Sequence, residues 1–410
     1  MNKLPDFPSL TPSAPLNAGQ FARLFDDPRP EITVSVHEHL ADIADIWVDF
    51  QRDAASTLYQ SFQWCKAWND TVALLKRCSA RIIVGRNLAC QVVFILPLQI
   101  RSSYGLKILE SYGYPDINYS YGLFQRRFLP TAADWFEDNL TGILQQIGDY
   151  DALCIQDMPE NMEGFPHPLR SLFTLTAPNL SYAMKLQPDF QRLYASKRSV
   201  STRKSIRKRD ARLQAQGEIY FGLPQSGQDT KQVLQTMFEQ KAERLAEDGV
   251  HNVFSPSAQN FVQLLAAERF DGMPLLLPFV LKINGKVQAV MLGGQFNGAY
   301  WPFISSFAKG DIQKHSPGDF VLRHAIEICC GLGMTKLDFG IGESDYKKPW
   351  ADDIIPMKIA LRAKTYKGLL WASFIALRIT LKRITKQTPM LKKLAFSLRR
   401  FLLSKQPARA

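Results

Sequence analysis

A short polar segment, DFGIGESDYKKPW at 338–350, holds the side chains in this sequence that are best suited to proton transfer. Asp338 and Glu343 carry carboxylates that can act as bases or bind a substrate, and Tyr346 carries a phenol that can act as an acid. The ammonium group of Lys347 can hold an anion or stabilise a developing oxyanion. The simpler alternative is that the Asp338 carboxylate caps a turn while Tyr346 packs. We favour a functional site for the cluster as a whole.

The elements around this segment would present it at the edge of a sheet. Residues 335–341 alternate apolar and polar side chains as a short strand does, and residues 317–330 before them form an apolar helical pattern. Three predicted strands precede that helix, at 275–283, 286–295 and 299–307, and both of their connections are Asn-Gly, a dipeptide suited to type I′ hairpin turns. In open α/β sheets ligands bind at the carboxyl ends of the strands, which is where 338–350 would lie.

The start of this helix has two interpretations. Ser316 suits the N-cap position, Pro317 suits the first helical turn, and Asp319 is spaced as in a capping box. Alternatively, the free N–H groups and the helix dipole can hold a phosphate, although Pro317 lacks an N–H group and Asp319 would repel an anion. Both interpretations stay open at this point.

An ordered set of short motifs links the helix and the strand to a known family. The set consists of Ser316-Pro317-Gly318, a long helix, Asp338-Phe339-Gly340, Gly342, Tyr346-Lys347 and Trp350. In this order it resembles the signature region of the CelD-type, BioF2-like acyltransferases of the GNAT superfamily, which are related to the FemA/FemX peptidyltransferases. The resemblance extends over about 55–370, weakly in the first half and well in the second.

The resemblance implies an α/β (α+β) fold made of a tandem pair of GNAT-like domains, in which mixed central sheets are flanked by helices. We therefore expect four regions. They are a proline-rich leader at 1–30, an N-terminal GNAT-like domain at 31–180, a C-terminal acyl-CoA-binding domain at 181–366 and a basic amphipathic helical tail at 367–410.

The resemblance also implies roles for particular residues. In GNAT enzymes the loop before the corresponding helix binds the pyrophosphate of acyl-CoA, which assigns that contact to Lys314, His315, Ser316 and Gly318. A tyrosine after the corresponding strand protonates the leaving thiolate in many GNATs, a role that falls to Tyr346. The co-substrate implied is acyl-CoA, with acetyl-CoA expected first, and no metal is implied.

A basic segment precedes this half of the chain. Residues 190–214 predict one continuous helix in which Arg203 and Arg207 share a face. This helix is either a solvated linker or a contact to an anionic substrate such as a CoA phosphate, a sugar nucleotide or a tRNA. Aromatic residues for stacking on bases are not interleaved with its charges, which counts against nucleic acid. With Arg203 and Arg207, Trp350 completes the predicted substrate-binding set.

The net charge of +12 belongs to the tail. Residues 354–410 contain 14 Lys and Arg and no acid, so the rest of the chain is close to neutral. Residues 369–384 and 390–403 read as two basic amphipathic helices that either lie on an anionic membrane surface or pack on the body of the protein. No apolar run reaches the roughly 20 residues of a membrane span.

The cysteines and the N-terminal segment argue against several classes of protein. The six cysteines form no CxxC pair, which is typical of a reduced, cytosolic protein rather than of a disulfide framework or a zinc site. The N-terminus has no apolar stretch of the kind found in secretion signals. No Ser-His-Asp or Cys-His arrangement competes with the cluster at 338–350.

The sequence of the first half predicts an order of helices and strands that is compatible with a GNAT-like domain. They are a strand at 31–36, a helix at 41–59, a helix beginning at Phe62, a hairpin of 81–85 and 88–100 that turns at Arg86-Asn87, a helix at 132–147 and a strand at 151–156.

Together these patterns predict an acyl-CoA-dependent N- or O-acyltransferase that transfers directly to an amine- or hydroxyl-bearing saccharide acceptor. The pathway, which is cell-envelope or exopolysaccharide synthesis, comes from the resemblance alone. Two alternatives remain, namely an aminoacyl-tRNA-dependent peptidyltransferase like FemX and a catalytically silent scaffold subunit. The expected location is the cytoplasm, at the inner face of the membrane if the tail binds lipid.

Overall fold

A computed structural model describes residues 31–250 and 252–388. The helices in these residues are α1 Ala44–Phe50, α2 Phe62–Trp68, α3 Leu129–Gln146, α4 Phe190–Lys197, α5 Val200–Gln214, α6 Gly227–Glu247, α7 Pro256–Ala267, α8 Pro317–Gly331 and α9 Tyr366–Gln387. The strands are β1 Ile32–His37, β2 Cys78–Asn87, β3 Val92–Ser103, β4 Leu106–Ser111, β5 Leu123–Phe124, β6 Ala152–Pro159, β7 Asn161–Met162, β8 Phe165–Pro166, β9 Leu175–Lys185, β10 Ile219–Gly222, β11 Arg269–Phe270, β12 Met273–Pro274, β13 Leu276–Ile283, β14 Lys286–Phe296, β15 Ala299–Phe307, β16 Lys336–Ile341 and β17 Asp353–Ala363. The predicted helix at 390–403 and the predicted leader at 1–30 lie outside the described residues.

The chain divides into two compact units. Of the described residues, those within Tyr182–Ile354 form the central unit, and 31–181 together with 355–388 form the terminal unit. Along the chain, the boundaries fall after Ser181, within β9, and after Ile354, within β17.

The central unit is built on a mixed sheet in the order β9-β16-β15-β14-β13-β10. Strands β10, β13, β14 and β15 are antiparallel, whereas β15 and β16 are parallel. Helix α8 connects these two parallel strands and packs against β13, β14 and β15. Its buried side chains include Phe320, Ile326 and Cys329, as its apolar pattern requires.

Both predicted Asn-Gly turns are confirmed. Asn284 and Gly285 have φ angles of 49° and 74°, and Asn297 and Gly298 have φ angles of 48° and 69°. These left-handed values are what a type I′ turn demands of its two central residues, and asparagine and glycine tolerate them best. The turns join β13, β14 and β15 into the predicted meander.

The terminal unit has a mixed sheet of similar design. Its strand order is β1-β2-β3-β4-β6-β17-β9, and the parallel pair is β4 with β6. Helix α3 connects that pair, as α8 connects the parallel pair of the central unit. The core on one side is aromatic, and the rings of Phe94 and Phe136 lie 4.9 Å apart. Mixed sheets flanked by helices therefore form both units, as the predicted fold class states.

Three local predictions are wrong. The residues predicted as one helix at 190–214 form α4 and α5, because Ser199 accepts the N–H of Thr202 at 3.2 Å and starts a new helix. The hairpin of β2 and β3 turns after Asn87 rather than at 86–87. The helix predicted at 41–59 consists of a 3₁₀ turn at Leu40–Ile43, α1, and a second 3₁₀ turn at Leu58–Gln60.

Candidate active site

The parallel strands β15 and β16 separate soon after they begin. Their ladder consists of Ala299 opposite Lys336 and Tyr300 opposite Leu337, while the strands continue to Phe307 and Ile341. Among the described residues, no further pairing joins the two strands. Their carboxyl ends therefore stand apart at one edge of the sheet, which is the edge where ligands bind in open α/β folds.

The start of α8 lies beside the end of β15. A Cβ atom built on Gly318 would lie 3.7 Å from Cδ1 of Phe307, the last residue of that strand. The amino end of a helix of 15 residues thus lies next to the carboxyl end of β15, one of the two separated strands. Its partial positive charge favours a bound anion there.

Arg209 on α5 replaces the capping box that the sequence predicts. Ser316 is in the left-handed conformation, with φ of 51°, and its side chain makes no capping hydrogen bond. Arg209 instead donates to Ser316 Oγ at 3.2 Å and to Asp319 Oδ2 at 3.0 Å. The capping box is therefore wrong, because the Asp319 carboxylate is paired with a cation from another helix.

The loop before α8 presents the other predicted cofactor contacts. Lys314 lies in a 3₁₀ turn, Asp311–His315, and pairs with Asp311 at 2.6 Å between Nζ and Oδ1. Both side chains are largely exposed. His315 is half-buried and ends the same turn. The fold thus brings Lys314, His315, Ser316 and Gly318 together at the start of α8.

Asp338 is buried within β16 and its carboxylate already has partners. One oxygen accepts the N–H of Gly340 at 2.9 Å, and the other lies 2.9 Å from Nζ of Lys336. Only 2 % of the residue is exposed. These contacts suit the turn-capping role that the sequence left open beside the catalytic one.

Lys347 is buried under the end of the same strand. Its Nζ donates to the carbonyl oxygens of Gly340 and Ile341, each at 3.2 Å. Burial lowers the pKa of the Lys347 ammonium to about 8, against the opposing effect of Asp338. The amine thereby fixes the backbone at the carboxyl end of β16.

Glu343 and Tyr346 are the exposed members of the cluster. The Tyr346 ring lies 6.3 Å from the ring of Phe339 in an edge-on arrangement, and burial raises the pKa of its phenol. Glu343 lies near Tyr182, whose pKa is raised first by burial and then by this carboxylate. Tyr182 belongs to β9. The sequence analysis did not identify it, because no sequence pattern connects it with Glu343, which lies far along the chain.

Trp350 is buried, with 1 % of the residue exposed. The guanidinium carbon of Arg198 lies 4.0 Å from its ring centroid, and the Tyr194 ring stacks on it at 5.9 Å. Arg198 also donates to the carbonyl oxygen of Pro349 at 2.7 Å. These contacts fasten the junction of α4 and α5 to the segment after β16, and sequence analysis did not single out Arg198 or Tyr194.

The two arginines predicted to bind substrate differ in their surroundings. Arg207 is exposed on α5, whereas Arg203 is half-buried and its Nε has no hydrogen-bond partner among the described residues. In the described part of the chain, no hydrogen bond joins Arg203 or Arg207 to Asp338, Glu343, Tyr346 or Lys347.

In the described ranges no group of three or more His, Cys, Asp or Glu is arranged to hold a metal ion. The cysteines there are free thiols. No helix in 31–250 or 252–388 combines the length and the apolar character needed to cross a membrane.

A known family model matches part of the central unit. Residues 200–348 match the family model described as an acetyltransferase (GNAT) domain. These residues are therefore similar to a GNAT domain. The match supports an acyltransferase, and it runs from the start of α5 through the separated strands to the four residues predicted to be catalytic. No curated protein matches the chain.

Solved structures resemble the chain beyond the GNAT domain. FemX has a TM-score of 0.51 at 11% identity, covering 81% of this chain and 95% of FemX. L-PGS from Bacillus licheniformis has a TM-score of 0.48 at 9% identity, covering 82% and 96%. A tandem GNAT protein from the clavulanic acid biosynthesis pathway has a TM-score of 0.38 at 11% identity, covering 81% and 98%. The FemX likeness indicates a shared fold.

Proposed function

We propose that the protein transfers an acyl group from acyl-CoA, with acetyl-CoA as the expected donor, directly to an amine or hydroxyl acceptor. The observation that carries this proposal is the coincidence of two features. The GNAT match covers the parallel strands β15 and β16, whose carboxyl ends separate beside the start of α8. A separated strand pair next to a helix start offers both a slot for a thioester and a site for its phosphates.

The phosphates of CoA would lie at the start of α8. Gly318 adds no side chain there, and Lys314, His315 and Ser316 precede it in the same loop and helix start. The Asp319 carboxylate does not repel an anion strongly in this arrangement, because Arg209 pairs with it. That pairing removes the main objection to phosphate binding at this helix.

Glu343 and Tyr346 are the proposed base and acid. The acceptor nitrogen or oxygen attacks the thioester carbonyl carbon, its proton passes to Glu343, and the C–S bond breaks as the new bond to carbon forms. Tyr346 then protonates the departing thiolate, and its raised pKa keeps the phenol protonated until that step. Asp338 and Lys347 hold the end of β16 in position through their backbone contacts.

The acceptor class is proposed from the family resemblance. We place the chain in the CelD-type, BioF2-like branch and expect an amino sugar, a sugar nucleotide or a lipid-linked saccharide of cell-envelope or exopolysaccharide synthesis. The basic face of α5, with Arg203 and Arg207, suits an acceptor that carries phosphate. The proposed location is the cytoplasm, at the inner face of the membrane.

Calorimetric titration of the full chain with acetyl-CoA and with CoA tests the donor. Gly318→Asp places a carboxylate at the helix start and should weaken CoA binding by roughly tenfold or more. Gly318→Ala is the matched control, because its Cβ would meet Phe307 at an ordinary contact distance of 3.7 Å and should leave affinity within about twofold.

Turnover with amino sugars as acceptors tests the acid. Tyr346→Phe should lower kcat by roughly 10- to 100-fold without changing CoA affinity, whereas Tyr104→Phe, at an exposed tyrosine of the terminal unit, should change neither. A folded protein that does not bind CoA at millimolar concentration would contradict the proposal. Binding of aminoacyl-tRNA would then favour the FemX-like alternative, and binding of neither ligand would favour a silent scaffold.

A further inference from the structure

Helix α9 of the terminal unit has two apolar faces, and the residues that the structure describes leave one of them exposed. The packed face contains Ala372 and Ile379, which are buried, and Gly368, where an added Cβ would approach the carbonyl oxygen of Asp151 to 1.9 Å. The opposite face contains large apolar side chains that are 45–74% exposed, namely Tyr366, Leu369, Leu370, Phe374, Leu377, Leu381 and Ile384.

The spacing of these exposed residues makes one continuous stripe. Most of them recur at intervals of three or four positions, so they share one side of the helix. From Tyr366 to Ile384 the stripe is about 27 Å long at the usual helical rise. Single exposed apolar residues are common on protein surfaces, but a contiguous row of this length marks an interaction surface.

A second exposed apolar group lies beside the start of α9. Tyr104, at the turn between β3 and β4, is fully exposed. Three residues later, the N–H of Lys107 donates to Asp151 Oδ2 at 2.9 Å. The other oxygen of Asp151 accepts the hydroxyl of Thr365, the N-cap residue of α9, at 2.7 Å. These bonds tie the β3–β4 hairpin to the beginning of the helix.

Leu74 and Leu75 extend this group. They are 86% and 71% exposed in the connection between α2 and β2. Arg77 in the same connection accepts the N–H of Ser102 at 3.1 Å through its carbonyl oxygen, two residues before Tyr104. The exposed side chains of Tyr104, Leu74 and Leu75, called the tips below, thus lie at the end of the sheet where α9 begins.

Basic side chains border the stripe and the tips. Lys367, Arg378 and Lys382 are exposed on α9, and Arg77 and Lys107 are exposed next to the tips. The chain has no acidic residue after Asp353. An apolar surface bordered by cations is complementary to a bilayer whose headgroups are anionic.

We infer that the stripe of α9, together with Tyr104, Leu74 and Leu75, docks the terminal unit onto an anionic lipid surface. Helix α9 would lie in the plane of the headgroups, since it is not apolar enough to span a membrane. A second copy of the chain fits less well, because a self-complementary contact would bring the same basic residues together. The inference does not depend on acyl transfer, because it uses only residues of the terminal unit.

Flotation of the full chain with lipid vesicles tests the inference. Vesicles of phosphatidylcholine with phosphatidylglycerol should bind the protein at least about tenfold more tightly than vesicles of phosphatidylcholine alone. Raising the salt concentration from 0.05 to about 0.5 M should weaken this binding, since exposed charges are screened.

Paired variants separate the two parts of the surface. Phe374→Ser with Leu377→Ser should weaken vesicle binding by roughly tenfold or more, and Leu75→Ser with Tyr104→Ser by about threefold. Val253→Ser with Leu264→Ser is the matched control, because both are exposed apolar residues of the central unit and should leave binding unchanged. All variants should keep the CoA affinity of the wild type.

Unchanged vesicle binding in either surface variant would overturn the inference, as would equal binding to neutral and anionic vesicles. Sedimentation gives a third outcome against it: a dimer that the Phe374→Ser, Leu377→Ser variant converts to a monomer, without vesicle binding by either form, would assign the stripe to self-association. A wild-type protein that binds CoA but not anionic vesicles would contradict this inference alone, whereas a wild-type protein that binds the vesicles but not CoA would contradict only the proposed function.

Discussion

Lys347, one of the residues predicted to be catalytic, is buried at the carboxyl end of β16. Its buried Nζ is within hydrogen-bond distance of two carbonyl oxygens at the end of β16. A buried lysine loses hydration of its charge, which is why its pKa falls to about 8. Two carbonyl groups left without this donor would each cost about 1–3 kcal/mol. The Asp338 carboxylate also bonds to the backbone at the end of β16, since it accepts the N–H of Gly340.

The lowered pKa predicts how stability depends on pH. In the unfolded chain the Lys347 ammonium returns to its ordinary pKa of 10.5, so between about 8 and 10.5 the unfolded state binds more protons than the folded state. The free energy of unfolding therefore rises with pH in that window. Relative to Lys347→Met, the free energy of unfolding of the wild type should rise by about 2–3 kcal/mol across this window, as measured by urea unfolding at several pH values.

The exposed neighbour Lys348 provides the control for this measurement. Lys348→Met should leave the pH dependence of the unfolding free energy unchanged. A wild type and a Lys347→Met variant whose difference stays constant from pH 8 to pH 10 would show that the amine keeps its ordinary pKa.

At the scale of elements, local signals work where the backbone itself restricts the residue type. Both Asn-Gly turns form as predicted, because few other residues accept two successive positive φ angles. Helix α8 also forms where its apolar pattern and Pro317 place it. By contrast, the break between α4 and α5 depends on a single hydroxyl, that of Ser199, within a basic run that otherwise favours one helix.

Two glycine substitutions should have opposite effects on stability. Gly285→Ala forces a β-carbon into a φ of +74° and should lower the free energy of unfolding by about 1 kcal/mol or more. Gly142→Ala lies within α3, where an added Cβ meets no atom within 4 Å, and should raise it by about 0.5–1 kcal/mol. Thermal unfolding measures both, and a destabilised Gly142→Ala would contradict the helix interior assigned here.

At the scale of the whole molecule, the six cysteines are distributed over both units, and all six are free thiols rather than members of disulfides. Each unit is held by an apolar core in which most of the thiols are enclosed, namely Cys65, Cys154, Cys329 and Cys330. Burial raises the pKa of the half-buried Cys78 to about 12, so its reactive thiolate is scarce. Cys90, at the β2–β3 connection, is the exposed exception.

Titration with a thiol reagent should therefore find one fast-reacting thiol in the native protein. After unfolding without a reductant all six cysteines should react, because the folded chain contains free thiols. Cys90→Ser should remove the fast phase and leave five thiols in the unfolded protein. Fewer than six thiols in the unfolded wild type would instead indicate a disulfide.

The sequence by itself determined the features that short segments encode. Each strand and turn of the meander, α8 and β16 can be read from residues within about twenty positions of one another, since periodicity and turn chemistry act at that range. The asymmetry of charge follows from composition alone. The ordered motifs between Ser316 and Trp350 also indicated the acyltransferase type that the family match supports.

Only the tertiary structure decided which partners these segments receive. Arg209 reaches Ser316 and Asp319 across 107 and 110 positions, and Arg198 covers the Trp350 ring from 152 positions away. Such contacts join side chains on different elements, and their pairing depends on how whole helices pack rather than on local pattern. The same holds for α9, whose exposed stripe is visible only once its opposite face is known to be buried, because an amphipathic pattern alone does not say which face the protein covers.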